Sequence, residues 1–399
     1  GQGGRAVQFG KGILEMALTS AVMETQFDES FKARLATEDD AAIKALRERA
    51  FAAFTEKGFP SLKDEDWKYT NVSAIAKETW QTAAAGIELE HEDAGIRAHE
   101  LLERFRFDRN GLTALNLAMA EIAVIKIAKD TVVDEPIELN FAAAECTAIF
   151  PHVVVIAESG SKATIVESYS SQARTFTNAA IQILVEDNAS LTHYRVQKDS
   201  AEAFNYGVTE VTLGKGSYDS TNINLGGAIS RHDIELKFTA EGGEAWVDGL
   251  YMLDGEQHSD THSTIDHTVP NCLSHQTYKG VLNGRSRGVF NGKVFVRENA
   301  HGTDAQQQNK NLLLSNDARV DTKPQLEIFN DDVKCSHGAT VGQLEDEELF
   351  YLLTRGLPES LARNLLTYGF AEEVINKIEI EAIKSDLDAT VLNRLHAEI

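Results

Sequence analysis

The sequence predicts a mainly β molecule, a parallel β-helix carried between two helical ends, and three observations predict it. From about residue 120 the apolar pattern takes a period of two, in short runs each stopped by a turn: "AVIKIAKD", "HVVVIAES", "AAIQILVED", "TEVTLGKG" and "IELKFTAEGG". The turns recur almost evenly, with Gly160, Asn188, Gly216 and Gly243 lying 28, 28 and 27 residues apart, and Asn283-Gly284 and Asn316-Asp317 extending the series with insertions. No amphipathic helix separates these runs, which argues against βαβ units. A β-sandwich is the alternative; it would show hairpins about every 8–12 residues, and the fixed coil length favours stacked coils that cover each other's apolar faces.

The elements follow in order. Residues 1–24 are Gly-rich, lack the pattern of a secretory signal, and read as a disordered lead-in with Met16 as a candidate natural start. Residues 25–115 read as a helical N-terminal domain. Phe27, Phe31 and Leu35, then Ile43, Leu46, Ala50 and Phe54, recur at three- and four-residue steps. Thr37 and Asp40 are expected to form a capping box, Gly58-Phe59-Pro60 to close the segment, and 94–105 to add a helix. The β-helix is expected over 116–340 and a helical C-terminal domain over 341–399. There, "EDEELFYLLTRG" opens on acids and ends on the C-cap pair Arg355-Gly356. Pro358 fits the first turn of "PESLARNLLTYG", expected to stop at Gly369, and "AEEVINKIEIEAI" follows. Leu361, Leu365, Phe370, Val374 and Ile378 would face a neighbour.

Composition narrows the function. Asp and Glu outnumber Lys and Arg by 62 to 38 over 399 residues, a net charge of −24 that repels nucleic acid and anionic lipid. No run of 18 apolar residues marks a membrane span. Three cysteines, Cys146, Cys272 and Cys335, are too few for a disulfide framework and suit a reducing, cytoplasmic compartment. "FGKG" and "LGKG" lack the second glycine and the Ser or Thr of a phosphate-binding loop, so any ATP is hydrolysed by another protein.

Candidate chemistry lies in three places. "DGEQHSDTHSTIDHTVPNCLSHQ" holds His258, His262, His267, Cys272 and His275, ligand types for zinc or iron, which strand spacing would scatter over both faces. Cys146, in the small apolar run "AAECTAIF", is expected in the core. In "DDVKCSHGATVG", residues 331–342, a strand passing through Cys335 and His337 would place both on one face, where a neutral imidazole could take the thiol's proton. A catalytic pair, half a metal site and a buried polar pair closing the solenoid all remain open. The rival class is a carbohydrate-active β-helix enzyme using paired carboxylates; Asp248, Asp254 and Asp260 are its candidates, expected as solvated acids near turns.

Four stretches carry a resemblance: "FPSLKDEDWKYTNVSAI" (59–75), "VFNGKVFV" (289–296), "QQQNKNLLLSNDARVDTKPQLEIFNDDVKCSHGATVG" (306–342) and "LFYLLTRGL" (349–357). Over about residues 25–380 the chain resembles the SufB/SufD family of the SufBCD iron–sulfur cluster assembly complex, and its SufD branch in particular. The resemblance implies a right-handed parallel β-helix with helical ends and a non-enzymatic scaffold role. It implies pairing with a SufB-like paralogue, or a homodimer when isolated, and docking of the ABC-type ATPase SufC on the C-terminal helices. Phe350, Tyr351, Arg355, Leu361, Leu365 and Phe370 are the candidate docking residues. By motif position His337 falls at the SufB interface, with Cys335 beside it, as ligands of a transient iron–sulfur cluster shared with SufB. No cofactor is implied for the chain alone, and a flavin only for the assembled complex. Two features point to the SufD branch: no cysteine precedes "LLL", and Gly338 follows His337 where SufB-like chains tend to carry an acid.

Overall fold

The computed structural model describes residues 25–87 and 95–396; the lead-in expected over 1–24 lies outside them. After a short β1 (Gln81–Thr82), each turn of the chain lays one strand in each of two facing sheets. The successive coils are β2 (Glu121–Ile127) with β3 (Ile137–Phe141), then, after the short β4 (Thr147–Ile149), β5 (Pro151–Ala157) with β6 (Lys162–Tyr169) and β7 (Phe176–Val185) with β8 (Ser190–Gln197). They continue as β9 (Phe204–Leu213) with β10 (Ser217–Asn224), β11 (Ile229–Phe238) with β12 (Glu244–Leu253), and β13 (His258–His267) with β14 (Leu273–Leu282). The last two are β15 (Arg287–Val296) with β16 (Thr303–Leu313) and β17 (Arg319–Ile328) with β18 (Val333–Gly342). Every pairing is parallel, between one coil and the next, so the core is a right-handed parallel β-solenoid.

Alternation places the core. Ile165, Leu191, Val211, Ile234, Phe290 and Val294 point between the sheets and meet there. The turns stack as well: the amides of Gly160, Asn188 and Gly302 donate to the carbonyls of Asp187, Lys215 and Asp332 on the next coil at 3.0, 2.7 and 2.7 Å. Left-handed backbone carries one corner, at Gly160 (φ 72°), Asn188 (φ 59°) and Gly302 (φ 69°). In the fourth turn the left-handed residue is Gly242 (φ 82°) rather than its neighbour Gly243.

The N-terminal helices are α1 (Asp28–Ala36), α2 (Ala41–Lys57), α3 (Ser73–Lys77), α4 (Gly95–Arg104) and α5 (Gly111–Met119). The expected capping box does not form. Thr37 closes α1, its amide bonding back to the Arg34 carbonyl and that of Glu38 to the Leu35 carbonyl, while Asp40 alone caps α2 by accepting from the amides of Ala42 and Ile43 at 2.8 and 3.1 Å. Buried Arg47 reaches across to the carbonyls of Leu117, Ala118 and Ala120 at 3.3, 3.3 and 3.0 Å and satisfies the end of α5. The "DEDWKYT" stretch lies on the outer face of the first sheet. Arg231 of β11 stacks 3.8 Å from the Trp67 ring, bonds the Asp66 carbonyl at 2.6 Å, and is neutralised by Asp233 and Asp260 at 2.9 and 3.0 Å.

The C-terminal helices are α6 (Asp346–Thr354), α7 (Glu359–Ile375) and α8 (Glu381–His396). Gly356 (φ 90°) ends the first as expected. The second runs through Gly369, because Ala371, Val374 and Ile375 beyond it pack with Tyr194, Ile223, Leu250 and Val281 on the second sheet's outer face. That burial outweighs the roughly 1 kcal/mol cost of a mid-helix glycine. Among the described residues no helix is long and apolar enough to cross a membrane.

Candidate functional site

Both sheets end on the last coil. Among the described residues β17 pairs only with β15 and β18 only with β16, so these leave one edge of each strand bare. On β16 the odd residues Ala305, Gln307 and Asn309 are buried while Gln306 and Gln308 are exposed, so the odd positions point inward. In register, Cys335 sits on Ala305 and His337 on Gln307. The two residues therefore occupy inward positions at the mouth of the solenoid. Cys335 is half-buried against the apolar core; His337 is exposed, since no further coil among the described residues covers it.

The electrostatics differ from the sequence-based expectation. Burial pushes the Cys335 thiol up, with Asp304 adding to the shift, and among the described residues no hydrogen bond joins the thiol to His337. In the chain by itself the surroundings of Cys335 disfavour the thiolate.

The other candidates are not brought together. His258 bonds Thr70 at 2.8 Å, His262 lies 3.0 Å from the Asp260 carboxylate, His267 bonds Ser274 at 2.8 Å, and His275 reaches Asp304 at 3.4 Å. Cys272 is buried, its thiol against the Pro270 and Ala240 carbonyls. Among the described residues no three His, Cys, Asp or Glu side chains are arranged to hold a metal ion. Cys146 is exposed rather than in the core, because it occupies a left-handed turn (φ 57°) just before β4.

The carboxylates proposed for a carbohydrate-active enzyme also part company. Asp248 is buried mid-strand in the second sheet, held by Lys377 at 2.5 Å and the Thr277 amide at 2.8 Å. Asp260 is buried mid-strand in the first sheet, its pKa driven far down by His262 and Arg231 against the opposing effect of burial. Only Asp254 lies at a solvated turn. Two acids on opposite sheets, each already paired, cannot flank one glycosidic bond.

On the C-terminal helices Phe350 and Tyr351 of α6 are 67% and 57% exposed, and Leu361 and Leu365 of α7 are exposed as well. Exposed Arg355 lies 5.0 Å from the Tyr351 ring. Phe370 turns the other way: its ring lies 4.4 Å from Lys279 Nζ of β14 and its carbonyl accepts from that amine at 2.9 Å, so it secures α7 to its own sheet.

Sequence reasoning missed Gln307 and Gly292. A Cβ at Gly292 on β15 would lie 2.3 Å from the Gln307 Nε2 across the interior. The readable signal was a glycine in mid-strand, in "VFNGKVFV", which marks a close approach by another group.

The description "SUF system FeS cluster assembly, SufBD core domain" matches residues 140–370, and "SufBD protein N-terminal region" matches residues 23–98. An iron–sulfur cluster assembly SufBD family protein of Synechocystis is 32% identical over 94% of this chain and 97% of its own length. The iron–sulfur cluster assembly protein SufD of Escherichia coli is 36% identical over 62% of this chain and 59% of its own length. SufD of Bacillus subtilis is 28% identical over 83% of this chain and 74% of its own length. With the solenoid, the matched core and a relative aligned along nearly its whole length, the chain belongs to the SufB/SufD family of iron–sulfur cluster assembly proteins.

Proposed function

We propose that the chain is the SufD-type, non-hydrolytic subunit of an iron–sulfur assembly scaffold. In this reading the bare edges of β17 and β18 receive the last coil of a SufB-like paralogue, or of a second copy when the chain is alone. A cluster under construction is then held across the seam, with His337 and Cys335 supplying this chain's share of its ligands. The observation that carries the reading is the open last coil with His337 inward at its mouth. Long bare strand edges are normally blunted or covered, and a residue pair that offers only two ligands needs the rest from outside. The exposed Phe350, Tyr351, Leu361 and Leu365, with Arg355, give a SufC-like ATPase an apolar surface to grip, and α7 would carry its movement to the second sheet.

The test is co-purification with SufB-like and SufC-like partners, followed by iron and sulfide analysis. His337→Ala is expected to leave the complex assembled and to lower cluster content at least severalfold. Unchanged cluster content in an assembled complex would remove His337 from the chemistry and leave the chain as a docking platform.

A further inference from the structure

Gln307 is fully buried, and its Nε2 donates to Gln276 Oε1 on the preceding coil at 2.7 Å. Its own Oε1 is buried with no hydrogen-bond partner among the described residues. A bare buried acceptor costs about 1–3 kcal/mol, so a donor that reaches it is favoured. The next rung beyond Gln307 is His337, its register partner on β18. Adjacent strands lie about 4.8 Å apart, and Gln307 already spans one such step to reach Gln276. The opposite wall limits where the amide can go: a Cβ at Gly292 would lie 2.3, 2.7 and 2.9 Å from Gln307 Nε2, Cδ and Oε1. Two separate motifs, "VFNGKVFV" and "QQQNKN", thus meet to hold one amide beneath one imidazole.

We propose that Gln307 is the positioning residue for His337. Its Oε1, without a partner among the described residues, would accept an N–H from the imidazole once the ring turns in over it, and that bond would fix a single ring tautomer. The other ring nitrogen is thereby left with its lone pair toward the uncovered end, where a partner or cargo arrives. The row Gln276–Gln307–His337 is a polar ladder running out of the core to the seam. This inference rests on the reading of His337 given above, and it names the residue that would make that imidazole directional.

Ring-nitrogen NMR of the full chain with 15N-labelled histidine tests it, at a pH where the ring is neutral and with the His337 signals assigned by their loss in His337→Gln. The wild type is expected to show one dominant tautomer. Gln307→Leu, which removes the acceptor, is expected to give a mixture, and Gln307→Glu, which only accepts when ionised, to restore the wild-type tautomer at a pH where that carboxyl is ionised. Gly292→Ala, which displaces the amide, is expected to act like Gln307→Leu and provides the reading should that variant fail to fold. An unchanged tautomer in Gln307→Leu, or a reversed one in Gln307→Glu, overturns the proposal. In the assembled complex Gln307→Leu should slow cluster formation about tenfold, with Gln307→Glu close to wild type. If the tautomer ignores Gln307 while His337→Ala still abolishes clusters, only the positioning role fails. If the tautomer follows Gln307 while His337→Ala changes nothing, only the functional reading fails.

Discussion

Two buried imidazoles give the molecule a pH signature of its own. His152 sits between Asn116 and Gln182 at 2.9 and 3.0 Å, and His267 lies against the Phe238 ring with Ser274 at 2.8 Å. Burial pushes each down to about 4 from 6.5. Below 6.5 these two side chains bind protons in the unfolded chain that they refuse in the folded one, so the stability they contribute is full above that pH and is lost as pH falls from 6.5 toward 4. Each histidine contributes on the order of 3 kcal/mol to that loss. Urea titrations should show His152→Gln and His267→Gln flattening the decline between pH 6.5 and 4; an unchanged slope in both would deny them the role. Thiol reactivity is a second check at this scale. Alkylation of the isolated chain, followed by mass spectrometry, should modify exposed Cys146 first and buried Cys272 last, with half-buried Cys335 between them. The sequence misled about Cys146 because a run of small apolar residues looks like core. A non-glycine residue in left-handed backbone leaves no compositional mark.

Elements were legible wherever one local signal acted alone. The period of two and the recurring turns locate the strands, and Gly356 ends its helix where the C-cap pattern puts it. Competition between signals is where the reading failed. Asp40 outcompetes Thr37 as a cap because Thr37 is still bonded into the preceding helix, and tertiary packing carries α7 through Gly369. Phe370 looks like one more apolar residue of an outer face until Lys279, fully buried on β14 and paired with Glu373, shows which way it turns. Lys279→Ala should therefore loosen α7, with about 2 kcal/mol lost and limited proteolysis entering residues 359–396 first. Equal resistance to protease would mean that the apolar contacts hold the helix unaided. The N-terminal segment depends on Trp67 wedged under Arg231. Trp67→Ala should cost about 3–5 kcal/mol by thermal or urea denaturation, with the guanidinium left facing a void. A loss below about 1 kcal/mol would show that the remaining contacts of Thr70 and Asp66 suffice.

At the scale of the whole molecule, the solenoid follows from repetition: each coil needs the next to cover its apolar face and to pair its backbone. The first coils gain their cover from the N-terminal helices, where Phe27, Phe54 and Leu115 share a core with Phe150 and Phe176. The last coil gains none from the described residues. Exposure rises through β17 and covers nearly all of β18, even though Cys335 and His337 hold inward positions. The sequence could place this pair on one strand face. It could not show that the face belongs to an interior left open, because what covers a coil is settled by neighbours distant in the chain or on another molecule. Hydrogen–deuterium exchange on the complex assembled with the SufB-like and SufC-like partners tests this most directly. The amides of β18 that point away from β16 should exchange as slowly as those of interior β14. If they exchange at the rate of a free strand while the complex is intact, the open end is not where the partner sits.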